Sequence, residues 1–127
     1  YNKEYSLSDE KLLGYCQQLN LIRILEDEES ITPPIFDATD ILEKPEKALK
    51  KICISVGIRF SQKMLKWPKG KRKSDGIWAK YWYRNVENSS GFQPFQKKNI
   101  VIDKKLIPLY DKCLADYNSM YEKRITF

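Results

Sequence analysis

Apolar residues recur at the three- and four-residue spacing of an amphipathic helix in three stretches of the chain. Ser6 and Ser8 are candidate N-caps for the first stretch. The second begins near Pro45 and stops before Gly57, and the third follows Asp103. The three stripes are Leu12, Leu13, Cys16, Leu19, Ile22 and Leu25; Ala48, Leu49, Ile52, Cys53 and Val56; and Leu106, Leu109, Tyr110, Cys113, Leu114, Tyr117, Met120 and Tyr121. The pattern predicts three helices that each bury one face.

Two shorter apolar runs, residues 35–38 and 100–102, predict strands, which need a partner sheet because a lone strand is not stable. Residues 77–86 predict a further helix with aromatic side chains on more than one face. Before that helix, Pro68 and Gly70 stand among clustered cations, which is typical of a surface loop. The predicted fold class is therefore mostly α with one or two short strands.

The composition of 127 residues, 42% hydrophobic and 31% charged, predicts one compact domain that can bury a core. No apolar run approaches the roughly 20 residues that span a bilayer, and no signal-peptide pattern is present. Three widely spaced cysteines favour reduced, buried thiols. We expect an intracellular, cytoplasmic protein without membrane contact. Because the chain begins with Tyr1, we also expect a processed product or a fragment of something longer.

Charge is distributed unevenly along the chain. Residues 1–58 hold eleven acidic and seven basic side chains, whereas residues 59–127 hold six acidic and sixteen basic ones. The cations are densest at 59–84, where Asp75 is the single acidic residue. A surface of this kind attracts phosphate, sulfate, nucleic acid or anionic lipid. The alternative is a solvated loop in a lysine-rich chain, which explains a single lysine more readily than it explains the cluster.

Few residues of the chain can carry catalysis. Histidine is absent, so the chain holds no imidazole base and no imidazole metal ligand. The sequence contains neither GxxxxGK[ST] nor GxGxxG. Asp37 and Asp40 flank a predicted turn, where paired carboxylates are common without being catalytic. We therefore predict no catalytic residue and no metal site within these residues.

The segment 69–80 is the most informative for binding. Lys71, Arg72 and Lys73 precede Gly76 and Trp78 at the start of the predicted helix. Backbone N–H groups at a helix start, beside Arg and Lys, can hold a phosphate. For the cations, phosphate contact and simple solvation remain equal alternatives. For Trp78 a core position is favoured over stacking on a planar base.

The string from Leu65 to Tyr83 resembles the C-terminal half of a P-loop sulfotransferase-like family, whose members read approximately W-P-x-G-x-R-x-x-D-G-x-W-A-x-x-W-Y. That pattern continues as V-x-x-S-[ST]-G-F, which is matched here by Val86, Ser89, Ser90, Gly91 and Phe92. Upstream, residues 34–42 resemble P-x-x-x-D-A-x-D-L-L, and residues 121–125 resemble the terminal Y-x-x-R-[IL]. The resemblance covers about residues 30 to 125.

The resemblance implies a binding role for the cationic segment. The sulfate donor would be 3′-phosphoadenosine 5′-phosphosulfate (PAPS). Arg72, Lys73 and Gly76 would contact its 3′-phosphate, Lys71 would lie nearby, and Trp78 would brace the loop. The resemblance also implies that residues 1–127 are the C-terminal portion of a three-layer α/β P-loop domain. The phosphate-binding loop and catalytic residues would belong to an N-terminal half, so this chain alone would not transfer sulfate.

Two functions follow as hypotheses. In the first, the chain completes a sulfotransferase-like enzyme together with the missing half or another chain, and a homodimer could cover any exposed core surface. Ile35, Phe36 and parts of the 41–57 stripe would then be exposed in the solitary chain. In the second, the chain is a non-catalytic basic module of a larger assembly. Its 59–84 surface would bind an acidic protein or, with less support, RNA.

Overall fold

A computed structural model describes residues 13–127, which form helices joined by irregular segments. The helices are α1 (Tyr15–Asp27), α2 (Ala38–Glu43), α3 (Pro45–Ser55), α4 (Ala79–Trp82), α5 (Arg84–Glu87) and α6 (Ile107–Glu122), with 3₁₀ turns at Gln62–Leu65 and Lys104–Leu106. The predicted mostly-α class is confirmed. Ser6 and Ser8, the proposed caps of the first helix, lie outside the described residues.

The described chain divides into two compact units. In the first, residues 13–37 and 97–126, α1 packs on α6. Its core consists of Leu19, Ile22 and Met120, against which Tyr15 and Ile35 pack. Lys123 Nζ lies 2.7 Å from Glu26 Oε2 and links the two helices at the surface. The apolar stripes of the first and third predicted helices therefore face each other.

The second unit comprises Ala38–Gln96 together with Phe127, whose carbonyl oxygen accepts a hydrogen bond from Lys44 Nζ. Here α2 packs on α3, and α3 contacts the turn Gln62–Leu65. The buried apolar residues are Ala48, Cys53 and Ala79. Gly57 ends α3 as predicted, because its φ of 70° is in the left-handed region and the N–H of Ile58 reaches back to the carbonyl of Cys53 at 2.9 Å.

The two predicted strands are wrong. Residues 35–37 form no ladder, and position 38 already belongs to α2. Ile35 instead accepts a single bond from the N–H of Ile125. Residues 100–102 are likewise irregular, with Val101 96% exposed. Among residues 13–127 the β pairing amounts to one antiparallel bridge between Lys66 and Gly91, so neither apolar run finds the neighbour that a strand requires.

The helix predicted over 77–86 is broken into α4 and α5, four residues each. Tyr83, at φ −94° and ψ 5°, separates them. Aromatic residues lose rotamer freedom in a helix, and a run with aromatics on several faces cannot bury them all against one neighbour. The aromatic side chains of this run consequently stay largely exposed, with Trp82 at 74%.

The prediction that the cysteines are reduced and buried is confirmed for two of the three. Cys53 and Cys113 are buried and Cys16 is half-buried, each as a free thiol. The Cys53 thiol packs 3.8 Å from the sulfur of Met64. These thiols act as small apolar side chains, as the sequence predicts.

Candidate anion-binding site

The cationic loop, residues 67–76, is held in shape by hydrogen bonds made by its main-chain N–H groups. The Asp75 carboxylate accepts a hydrogen bond from the N–H of Arg72 at 2.8 Å, and the N–H of Asp75 donates to the carbonyl of Arg72 at 3.1 Å. Gly70 sits at φ +103°, a conformation that other residues rarely adopt. Its N–H donates to the carbonyl of Glu87 at 2.8 Å. The loop is therefore fixed without help from its cationic side chains.

Trp67 anchors the base of the loop to residues 86–92. Its backbone N–H donates to the carbonyl of Ser90 at 3.2 Å, and its indole Nε1 donates to Ser89 Oγ at 3.2 Å. The Ser89 hydroxyl in turn donates to the carbonyl of Val86 at 3.0 Å. The indole meets the ring of Phe92 edge-on, with 5.5 Å between centroids. One tryptophan thus ties the loop to the segment V-x-x-S-S-G-F.

Gly91 permits this close approach. A Cβ at that position would lie 3.1 Å from the carbonyl oxygen of Leu65, tighter than ordinary van der Waals contact. Gly91 also forms the bridge with Lys66, so the two segments meet backbone to backbone. A side chain here would push the loop base apart.

Lys71, Arg72 and Lys73 are all exposed, and within residues 13–127 their side chains form no hydrogen bond or ion pair. Three cationic groups therefore point into solvent from a loop whose backbone is fixed. Such an arrangement favours a multiply charged anion, because each cation can add a charge-assisted hydrogen bond without losing an existing partner.

Gly76 and Trp78 lie beyond the turn. The carbonyl of Gly76 accepts from the N–H of Ala79 at 3.0 Å, and a Cβ on Gly76 would meet nothing within 4 Å. Trp78 is 64% exposed and tilts against Tyr81 at 6.3 Å between ring centroids. The prediction that Trp78 packs in the core is therefore wrong. Because α4 spans only four residues, its N-terminus adds little to anion binding.

The residues that hold the loop could not be assigned that role from the sequence pattern. Trp67 and Ser89 belong to the W-P and S-[ST]-G-F parts of the family pattern, whereas Glu87 stands at a position that the pattern leaves open. The indole to hydroxyl bond joins residues 22 positions apart, so local spacing does not reveal it. The shared presence of W-P and S-[ST]-G-F in the pattern was the one available indication.

The carboxylate of Asp37, which the sequence offered as a possible catalytic group, makes a hydrogen bond within the fold. Its Oδ2 accepts a hydrogen bond from the Tyr117 hydroxyl at 2.8 Å. Burial, followed by that hydrogen bond and the charge of Asp37, raises the pKa of Tyr117 to about 12. Asp40 lies in the first turn of α2 and also has an interaction partner. The Asp37 carboxylate thus has a structural partner in α6.

The first unit contains an apolar cavity of about 450 Å³, lined by Tyr15, Ile102, Leu109, Cys113 and Tyr117 among others. No group of three or more metal-ligating side chains occurs in the described part of the chain. Over the same residues, every helix is too short or too polar to cross a membrane.

Comparison with known proteins identifies relatives. The family profile described as a sulfotransferase domain matches residues 24–123. Two proteins of Arabidopsis thaliana are similar over 88 residues: branched-chain-amino-acid aminotransferase-like protein 2 at 38% identity and branched-chain-amino-acid aminotransferase-like protein 1 at 35%. The match covers 68% of this chain and 16% of each relative, so the chain spans a small part of their length. No solved structure matches significantly.

Proposed function

The chain belongs to the sulfotransferase domain family, and from that premise we propose that its cationic loop grips the 3′-phosphate of a PAPS-type nucleotide. Arg72 and Lys73 would supply the charge-assisted hydrogen bonds, with Lys71 adding charge nearby. Gly76 would let the backbone approach the phosphate. The observation that carries the proposal is a backbone-fixed loop whose three cationic side chains have no partner among the described residues.

Trp78 would contribute at the edge of this site rather than as the brace that the resemblance implies. Bracing in the second unit falls to Trp67, whose indole is bonded to Ser89 and packed on Phe92. The exposed Trp78 indole is instead available to a ligand. Ile77 and Ala79 stand where the resemblance to sulfotransferases in general leads us to expect an acidic residue and a lysine, so the chain is more similar to the subfamily pattern than to that general loop.

Sulfate transfer would require more than these residues. Asp37 is engaged with Tyr117, and neither the P-loop pattern nor a histidine base occurs in the sequence. We therefore propose that residues 1–127 act as the C-terminal portion of a sulfotransferase-like α/β domain. The P-loop half would come from the same protein or another chain, and the present residues would not be active alone.

The test is titration of 3′-phosphoadenosine 5′-phosphate into the full-length protein. The double variant Arg72→Ala, Lys73→Ala should raise Kd by one to two orders of magnitude, since hydrogen bonds to charged groups contribute about 1.5–3 kcal/mol each and exposure reduces this. The matched control is Lys97→Ala, Lys98→Ala, which removes the same charge from the other unit. Wild-type protein that does not bind the nucleotide, or equal losses in both variants, would contradict the proposal.

One observation favours a second candidate, a non-catalytic surface for single-stranded RNA. Trp78, Tyr81 and Trp82 are all exposed in the same unit as the cationic loop, and Lys80 Nζ lies 4.8 Å from the Tyr81 ring. Exposed aromatics beside cations are how proteins stack and neutralise single strands. A labelled RNA oligonucleotide should then bind at low salt and lose affinity steeply as salt rises. Absence of binding at low salt would dismiss this candidate.

A further inference from the structure

Glu87, the last residue of α5, has an unsatisfied charge-bearing group. Its main-chain carbonyl accepts a hydrogen bond from the N–H of Gly70 at 2.8 Å, so the side-chain carboxylate takes no part in fixing the loop through that bond. Its Oε1 atom is buried and has no hydrogen-bond partner among the described residues. Buried carboxylate oxygens are normally paired, because losing water without a replacement partner is costly. We therefore expect a nearby hydrogen-bond donor that can pair with this oxygen.

The surroundings of Glu87 contain one cationic candidate. A cavity of about 120 Å³ is lined by Gly70, Arg72, Asp75, Tyr83, Val86 and Glu87. The space is several times the roughly 10–15 Å³ that accommodates one water molecule. Asp75 already uses its Oδ2 on the N–H of Arg72. Arg72 is thus the one positively charged residue of the lining, and its guanidinium forms no hydrogen bond or ion pair within residues 13–127.

We propose that Glu87 sets the anion affinity of the cationic loop through a second side-chain conformation of Arg72, in which the guanidinium leaves the exposed position seen in the structure and enters this cavity to pair with Glu87. The two oxygens of a carboxylate match the fork of a guanidinium, so the pairing would satisfy both groups. A phosphate then has to draw Arg72 away from Glu87. The observed affinity is reduced by the fraction of protein in which Arg72 is paired.

The inference rests on the proposed function only for the identity of the anion. It assigns Glu87 a positioning role, acting through Arg72 and never touching the ligand. The pairing involves residues 15 positions apart along the sequence that the Gly70 to Glu87 backbone bond brings together. Because that bond uses the main chain of Glu87, a change of the side chain leaves it in place.

The experiment is a double-mutant cycle on the Kd for 3′-phosphoadenosine 5′-phosphate in the full-length protein. Glu87→Gln keeps the shape of the side chain and removes its charge, so binding should tighten about three- to tenfold. The same substitution in an Arg72→Met background should change Kd less than twofold. Glu43→Gln is the matched control, because it removes an exposed carboxylate from the end of α2 in the same unit.

Two results would overturn the inference. Tightening by Glu87→Gln that persists in the Arg72→Met background, or that Glu43→Gln reproduces, would reflect general electrostatics and not the pairing. Unchanged affinity in Glu87→Gln would show that Glu87 does not hold Arg72. If the wild-type protein fails to bind the nucleotide, the proposed function falls separately. The pairing is then judged by urea unfolding of the same four proteins, where additive effects contradict it and a non-additive loss supports it.

Discussion

The two units are stabilised in different ways. In the first, α1 and α6, of 13 and 16 residues, meet over a core of Leu19, Ile22 and Met120. In the second, the helices are shorter, and the cationic loop is fixed by hydrogen bonds from Trp67, Gly70 and Asp75. Apolar packing orders long helices, whereas backbone bonds order an exposed loop. The second arrangement leaves cationic side chains free for a ligand, which a packed core would not.

The largest effect should come from the core of the first unit. Leu19→Ala removes a side chain that is 8% exposed and should destabilise α1 by about 2–5 kcal/mol through lost burial and a cavity. Hydrogen exchange of the α1 and α6 amides measures this locally. Leu21→Ala is the matched control in the same helix, because Leu21 is 57% exposed and should cost little. Equal losses at both positions would contradict the packing described here.

A smaller effect is expected at the Tyr117–Asp37 bond of the same unit. Tyr117→Phe should cost about 1.5–3 kcal/mol, toward the lower value because the pair is only partly buried. The pKa of Tyr117 is raised to about 12. The stabilisation is therefore full below about pH 10, where unfolded tyrosine starts to ionise, and is lost as the pH rises through 12.

Tyrosinate absorbance against pH reads this out directly. The ionisation of Tyr117 should appear near pH 12, and that step should be missing in Tyr117→Phe. Asp37→Asn should move it toward the ordinary value by removing the neighbouring charge. A late step that survives in Tyr117→Phe would assign it to another residue.

The smallest stability effect is expected in the second unit. Trp67→Phe keeps an aromatic ring against Phe92 but removes the donor to Ser89, which should cost about 0.5–1.5 kcal/mol. Hydrogen exchange at the N–H of Gly70 should increase, because that bond depends on the same loop base. Trp82→Phe is the control, with the side chain 74% exposed. A larger loss of stability in Trp82→Phe than in Trp67→Phe would contradict the assignment of Trp67 as the residue that anchors the loop.

The helices were predictable because their apolar stripes are long and regular. Leu19 and Ile22, three positions apart, are buried as expected, and so are Ala48 and Cys53 of the second stripe. The strands were not predictable in the same way. An apolar run such as 35–38 becomes a strand only beside another strand, and the described residues supply none.

The candidate site shows the same division. Clustered cations with Pro68 and Gly70 predict an exposed basic loop, and the structure has one. The choice between Trp67 and Trp78 as its brace could not be read from spacing, since both stand in the same segment. Trp67 is selected by contacts to Ser89 and Phe92, more than twenty positions away. Glu87 entered the site for the same reason, through its bond to Gly70.

The sequence by itself determined the helical character, the exposed basic loop and the likeness to the sulfotransferase domain family. These depend on residue spacing and residue type, which act locally or are matched position by position. Only the tertiary structure decided which side chains anchor that loop, which of its cations lack partners, and that a buried carboxylate lines a cavity beside Arg72. Contacts between distant segments and the desolvation of a charge exist only once the chain has folded.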